Sequence, residues 1–458
     1  MGGTEMRAEN DLRHDKIGPL VLQIALPSML AQFVSVLYSI VDRMFIGHIP
    51  EVGALALAGA GVCGPTVTLA AAFSFWIGCG GAPLMSIRLG QRDERAAGRI
   101  MSCCFSLLLL FSAVLMLLLI PLRTPLLRLF GASDVTLPYA VSYFTLYLLG
   151  TPFALLSGGM NQLIICQGFA RVGMKSVLLG AVLNIVLDPV FIFGLGMGVQ
   201  GAALATVLSQ MVSCTYVLRF LRGEQPPVRL RFAKPDFDTV GRVLLLGISP
   251  FLIIALDQVM LISMNALLQR YGGTSQGDFY ITCNTIVQSF MLVVTMPLGG
   301  ISGGTQSILG YNFGAGKPKR VLLAQRYIFA LCAGFTAVMF VLARTAGPYF
   351  IMQFNRDPAV AETTHWAICV ETLAIVPLGL QYGLVDGFTG MGQVQYAMPL
   401  SFWRKTVYFV SLFLLPALLG ARAIFWAEPI CDVLGVLVSI TVYLRCIGRL
   451  LHKRPARA

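Results

Sequence analysis

The chain has 458 residues, 57% of them hydrophobic and only 12% charged, about half the charge of an ordinary soluble domain. That excludes water as the only solvent. The net charge of +12 does not mark a nucleic-acid binder, because the basic residues sit in short loops between apolar runs, where positive charge sets orientation in a bilayer.

The first sixteen residues are polar, and the apolar segment after them, Leu20 to Ile46, is far longer than a signal-peptide core of about 7–15 residues. It reads as the first span. A bilayer core needs roughly 20 apolar residues as helix, and runs of that order predict spans over 20–46, 52–87, 100–122, 138–169, 175–197, 200–219, 243–268, 279–310, 327–343, 366–391, 397–419 and 424–444. The loop after the second span, Ser86 to Arg99 (SIRLGQRDERAAGR), carries Arg88, Arg92, Arg95 and Arg99. On the same side fall the basic residues from Arg219 to Arg242, then Lys317, Lys319 and Arg320, and a tail with Lys453, Arg454 and Arg457. The opposite side holds few, among them Arg123, Arg128, Arg344 and Arg356. Roughly 26 of the 33 Lys and Arg lie on one side, which by the positive-inside rule places both termini in the cytoplasm.

The stretch Arg222 to Arg242, with Pro226 and Pro227, reads as a linker. It predicts a six-helix lobe over 1–222, a cytoplasmic linker over 223–242 and a second six-helix lobe over 243–458 with a basic tail. The halves echo each other. Ile24-Ala25-Leu26-Pro27 precedes Asp42 at the spacing by which Gly247-Ile248-Ser249-Pro250 precedes Asn265, and Ser86 to Arg99 parallels Ser307 to Arg320. Six spans per half give parallel repeats, whose interface is the default substrate cavity of a transporter.

An ionisable residue inside a span costs about 2.5–3.5 kcal/mol on insertion scales, so Asp42, Asp188, Asp257, Glu371, Asp386, Glu428 and Asp432 each ask for a reason. Asn184 and Asp188 share one helix face, and Pro189 removes a backbone donor and kinks the helix beside them. With Thr206 in the next span and Asp42 in the first, this region gathers oxygen ligands suited to a hard cation. Alternatively, a carboxylate in low dielectric or beside another carboxylate holds a proton more tightly and would load and release one near neutral pH. The ligand set leaves H⁺ and Na⁺ open. The second-half counterparts are neutral: Asn265 for Asp42, Thr406 for Asn184 and Val410 for Asp188. Packing staples would be expected in both halves, so the asymmetry favours function.

Asp257 is the leading second-half candidate for contact with a cationic substrate, ahead of Glu371 and Asp386; Glu428 and Asp432 read as packing or solvated acids. Tyr38, Tyr143, Met264, Met291 and Met296 suit an adaptable cavity that holds cations against π faces, although packing and lipid contact are the commoner roles of such residues. The eleven cysteines have no CxxC pair and lie mostly inside apolar runs, as at Cys79, Cys103, Cys104, Cys283 and Cys431, which suits small core residues. Gly314-Ala315-Gly316-Lys317 is no phosphate loop, because Pro318 stands where Ser or Thr is needed. His14, His48, His365 and His452 are scattered, so no metal cluster or catalytic triad is visible.

From about Pro27 to Asp432 the sequence resembles the multidrug and toxic compound extrusion (MATE) family, within it the DinF- and MepA-like bacterial multidrug efflux branch. The resemblance is carried by Pro27, Asp42 and Gly47, by Leu183 to Thr206 (LNIVLDPVFIFGLGMGVQGAALAT) and by Pro297 to Gly316 (PLGGISGGTQSILGYNFGAG). It implies an all-α integral membrane fold, twelve transmembrane helices in two parallel-repeat six-helix lobes forming a V-shaped bundle. It implies a secondary active antiporter, not an enzyme, that exports amphipathic, often cationic drugs or toxic organic compounds in exchange for H⁺ or Na⁺ by alternating access. The expected setting is the bacterial plasma membrane, with a single chain as the working unit, no nucleic-acid partner and no cofactor beyond the coupling ion. By the resemblance, Asp42, Asn184, Asp188 and Thr206 form the cation-coupling cluster and candidate Na⁺ site, and Tyr38, Tyr143 and Asn161 line the first-lobe cavity. Asp257 and Met291 complete the expected substrate contacts. The sequence departs from the NorM-like branch, whose second-lobe acidic pair is missing; Asp257 falls about one residue from the expected place. Two other readings are a lipid-linked precursor flippase or polysaccharide exporter of the same superfamily and, more distantly, an integral membrane transferase. The first usually brings extra spans or a strongly basic cavity, and the second an acidic or His motif at a membrane interface.

Overall fold

In hydrocarbon every backbone N–H and C=O must be satisfied within the protein, so long apolar runs without charge fold as helices. The computed structural model describes residues 10–130, 132–231, 236–354 and 357–452. Arg356, the tail residues Lys453, Arg454 and Arg457, and residues 232–235 of the linker lie outside the described residues. Among the described residues, twelve helices are long and apolar enough to cross a membrane. They are α1 (Ile17–Gly47), α2 (Leu55–Gly90), α3 (Glu94–Leu129), α4 (Leu137–Ile165), α5 (Ala170–Gly194), α6 (Val199–Arg222), α7 (Phe237–Gly273), α8 (Phe279–Gly314), α9 (Pro318–Thr345), α10 (Pro358–Gly390), α11 (Val394–Leu419) and α12 (Ala421–Leu451). The chain is a multi-pass membrane protein, and the described residues contain no strand.

Several helices begin ahead of the apolar run that predicts them. α9 starts at Pro318 and α10 at Pro358, first-turn positions where the missing N–H of proline costs nothing. The side chain of Asp357 caps α10 by accepting the N–H of Ala359 at 2.9 Å. Likewise Asp93 caps α3, its Oδ1 accepting the N–H of Ala96 at 2.9 Å. Asp93→Ala should lower stability by about 1 kcal/mol, the usual worth of such a cap; an unchanged melting temperature of the purified protein would count against that role.

The chain divides into two compact units. One runs up to Asp15 and from Leu26 to Phe251; the other takes Lys16–Ala25 and everything from Leu252 onward. The first turns of α1 thus belong with the second unit, and the first half of α7 with the first. Both divides fall beside the two repeat-related prolines, Pro27 and Pro250, where the helical hydrogen-bond ladder is already interrupted.

In the first unit, α4 packs against α2, α3 and α6, and α5 lies along α6. The beginning of α7 is fastened to α2. Trp76 Nε1 donates to the carbonyl of Leu244 at 2.9 Å, and its ring stacks on Phe251 with centroids 4.6 Å apart. The backbones come so close that a Cβ on Gly247 would lie 1.8 Å from the Trp76 carbonyl oxygen, and one on Gly80 would lie 2.2 Å from that of Val243. Close approach through small residues is the usual device for joining helices in lipid, where apolar side chains gain little from leaving the bilayer. The start of the linker is seated on the same unit: Gln167 Oε1 accepts the N–H of Val228 at 3.0 Å, and Val228 and Leu230 are buried. On that side Asn10 Nδ2 donates to the carbonyl of Gly168 at 2.9 Å.

In the second unit, the half of α10 from Ile375 to Gly390 packs on α9 and α12, and α11 packs on α12. Gln325 of α9 donates to the carbonyl of Gly383 at 2.7 Å. α7 ends at Gly273, whose φ of +65° suits a residue without a Cβ.

Candidate functional site

α5 runs as regular α-helix from Ala170 to Pro189 and then opens into a wider π turn over Val190–Gly194. The N–H of Leu195 closes that turn on the carbonyl of Val190 at 2.8 Å. The kink expected at Pro189 is therefore also a change of helical pitch, a feature frequent at functional sites. α6 nestles against the widened turn, since a Cβ on Gly201 would lie 2.8 Å from the Phe191 carbonyl carbon. Ile192, Val199 and Ala202 close the packing together with Ile46 of α1 and Ala56 of α2. This register places Thr206 of α6 opposite Asn184 of α5, and α1 beside both.

Asn184 Nδ2 donates to Asp188 Oδ1 at 3.1 Å and reaches Thr206 Oγ1 at 3.5 Å. Asp42 on α1 lies within hydrogen-bonding reach of Asp188. Asp188 is fully buried and Asn184 is 2% exposed. Among the described residues no donor reaches Asp42 Oδ1, Asn184 Oδ1 or Asp188 Oδ2, although all three atoms are buried. Buried polar atoms without partners are costly, and two adjacent carboxylates cannot both stay ionised without a proton or cation between them. A set made only of carboxylate, amide and hydroxyl oxygens fits a hard cation or a shared proton and does not fit a soft metal.

Tyr38 stands one helical turn before Asp42 on the same face of α1. Tyr143 of α4 is in electrostatic contact with both Asp42 and Tyr38. Its ring lies parallel to that of Tyr147, with centroids 6.5 Å apart and planes at 10°, and Tyr147 in turn reaches Gln210 of α6. Tyr147 and Gln210 are not among the residues expected from the sequence. Each stands four residues after an expected one, Tyr143 and Thr206, so helical spacing is the signal that points to it. Asn161 stands apart from this group: it accepts from the hydroxyl of Ser176 at 3.4 Å, roughly 12 Å along the α5 axis from Asn184 at 1.5 Å per residue.

The remaining candidates lie in the second unit. Asp257 is ion-paired with Lys405. Met291 is buried, and its carbonyl accepts from the Thr295 hydroxyl at 2.9 Å. Asn265, the repeat counterpart of Asp42, accepts from the side-chain amide of Asn284 at 2.9 Å, so a neutral amide pair stands where the first unit has acids. Glu428 and Asp432 both bind Arg404, at 2.6 and 2.8 Å.

A sequence profile of the MatE family matches residues 27–190 and 254–434. The chain is 26% identical to the multidrug export protein MepA of Staphylococcus haemolyticus (strain JCSC1435), over 91% of this chain and 92% of that protein. To MepA of Staphylococcus aureus (strain NCTC 8325 / PS 47) it is 25% identical, over 93% of each. Among solved structures, an outward-facing multidrug resistance MATE family transporter of the MOP superfamily superimposes with a TM-score of 0.89 at 21% identity, covering 96% of this chain and 98% of that one. With twelve helices among the described residues long and apolar enough to span a membrane and a family profile matched across both halves, the chain belongs to the MatE family, the multidrug and toxic compound extrusion transporters, and is a transporter and not an enzyme.

Proposed function

We propose that this transporter is a secondary active antiporter that exports amphipathic, often cationic organic compounds in exchange for H⁺ or Na⁺, with the coupling ion held by Asp42, Asn184, Asp188 and Thr206. The observation that carries this reading is that three buried oxygens of α1 and α5 have no donor among the described residues, on side chains linked in reach from Asn184 to Asp188 and from Asp188 to Asp42. Tyr38, Tyr143 and Tyr147 beside them offer π faces to an organic cation. The names of the staphylococcal relatives support drug efflux as the activity. The protein sits in the plasma membrane with both termini in the cytoplasm, a reading supported by the excess of arginine in the loops of one side.

Cation binding and organic substrate are coupled through a conformational equilibrium. A ligand shifts a two-state equilibrium only by its difference in affinity for the two states, and coupling between sites is reciprocal. Neutralising Asp42 and Asp188 removes the repulsion between them, so the loaded cluster favours the state in which α1 lies closest to α5. Release of the ion on the other side of the membrane reverses the preference.

The test is dye transport in proteoliposomes under a pH gradient alone and then under a Na⁺ gradient alone. Movement driven by one gradient names the ion; movement under neither refutes antiport. In the same assay Thr206→Val should raise the half-saturating concentration of the coupling ion about tenfold, as the loss of one hydroxyl ligand worth roughly 1.5 kcal/mol implies. The dye concentration dependence should be little changed, and an unaltered ion dependence would remove Thr206 from the ligand set.

A further inference from the structure

α11 carries two consecutive basic residues inside its apolar run, Arg404 and Lys405, and each is held by carboxylates of its own unit. Lys405 pairs with Asp257. Arg404 turns toward α12, where its Nε donates to Asp432 Oδ1 at 2.9 Å and its Nη2 donates to Glu428 Oε1 at 2.6 Å. The Arg404 side chain is 12% exposed, and that of Asp432 is fully buried. Gly435, on the same side of α12 as Asp432, makes room for the stem: a Cβ there would lie 3.3 Å from Arg404 Cγ and 3.4 Å from its Cβ. Glu371 of α10, also buried, is in electrostatic contact with both Glu428 and Asp432. No donor among the described residues reaches the buried Asp432 Oδ2.

Two carboxylates thus hold one guanidinium, which is planar, always charged and rich in donors, and a third acid lies beside them. In the first unit, by contrast, no ion pair joins Asp42 or Asp188 to a basic side chain among the described residues. We infer that Arg404 is a tethered cation that fills the carboxylate site of the second unit, so that no free cation binds there during transport. Arg404 is then a positioning residue that decides which lobe exchanges ions. The inference rests on the reading of the first-unit cluster as the exchanging site, and it accounts for the confinement of ion exchange to one half of a repeated fold. Removing the guanidinium leaves these acids without their cation. Oxygens of Glu428 and Asp432, together with the Cys431 sulfur, lie within 4.8 Å of one another, close enough for a single cation to touch them at once. Without Arg404 the carboxylates form a seat for a free monovalent cation.

The experiment uses the full chain in nanodiscs, in an Asp188→Asn background that silences the first-unit cluster. Radioactive Na⁺ binding is measured at equilibrium, and melting temperatures are compared in NaCl and N-methylglucamine chloride. The background protein should bind no saturable Na⁺. Adding Arg404→Gln should create about one Na⁺ site per chain and raise the melting temperature in NaCl by about 3 °C over the other salt, through stabilisation of the folded state by its ligand. Arg404→Lys, which keeps the charge, should do neither. Adding Asp432→Asn to the Arg404→Gln protein should abolish the gain. A lower stability of Arg404→Gln common to both salts is expected, and the difference between the salts remains the readout. Equal melting in both salts with no Na⁺ uptake overturns the inference. So does Na⁺ binding in the background protein that Asp432→Asn removes while Arg404 is present. A failure of the first-unit reading would show separately, as coupled transport untouched by Asp188→Asn in protein with Arg404 intact.

Discussion

Asp188→Asn should abolish efflux of a fluorescent cationic dye from cells, and Asp42→Asn should do the same, while both proteins still reach the membrane. The substitution is nearly isosteric, so packing around the fully buried Asp188 side chain is retained. What changes is charge. An amide neither takes up nor releases a proton and binds a hard cation far less well than a carboxylate, so the cluster loses the difference in ion affinity that drives the cycle. Coupling free energies between sites run at about 1–3 kcal/mol, and their loss corresponds to efflux reduced up to about 100-fold. Because Asp42 and Asp188 lie within hydrogen-bonding reach of one another, their effects should not add: the double substitution should be no worse than either single one. Near-normal efflux by both single variants at equal membrane abundance would sink the coupling reading.

Gly247→Val should leave almost no folded protein. Its Cβ would stand 1.8 Å from the Trp76 carbonyl oxygen, a backbone atom that cannot rotate away. Relief requires α7 to separate from α2. That breaks the bond from Trp76 Nε1 to Leu244 and parts the Trp76 and Phe251 rings, together with the contact of Phe251 with Phe73. Overpacking a core typically costs about 1–3 kcal/mol and more where backbone must move, so this site belongs at or above the upper end. Gly241 provides the control, since nothing lies within 4 Å of a Cβ placed there. Gly241→Ala should extract from membranes as a monodisperse protein in normal yield. Equal yields of the two variants would show that the α2–α7 seam tolerates separation.

Much of this architecture is readable from residue order, because the bilayer turns apolar length into helix count. The twelve spans follow from that length, and the shared face of Asn184 and Asp188 follows from their spacing. Helix starts are less legible. α7 begins at Phe237 within a stretch whose mixed charge and prolines read as linker, because a first helical turn outside the hydrocarbon tolerates polar residues. Pro189 announces a kink, whereas the π turn after it depends on how α6 packs through Gly201. Gly80 and Gly247 are visible as glycines, but nothing in the sequence tells that each faces a carbonyl of the other helix. Arg404 and Lys405 stand in plain view inside an apolar run. Searching spans for acids alone passes over them, although a buried base raises the same question as a buried acid and here answers it for Asp257, Glu428 and Asp432.

The exchange of helix segments bears on how the protein is made. The first unit includes residues up to Phe251, so it is incomplete when the ribosome has delivered only the first six spans. A nascent chain ending at Arg222 holds Trp76 without its acceptor Leu244 and without the ring of Phe251. Conversely, Lys16–Ala25, synthesised early, must wait for the last half of the chain before the unit they belong to exists. The two halves of this repeated fold are therefore not independent folding domains, and each completes its partner with a piece of its own leading helix.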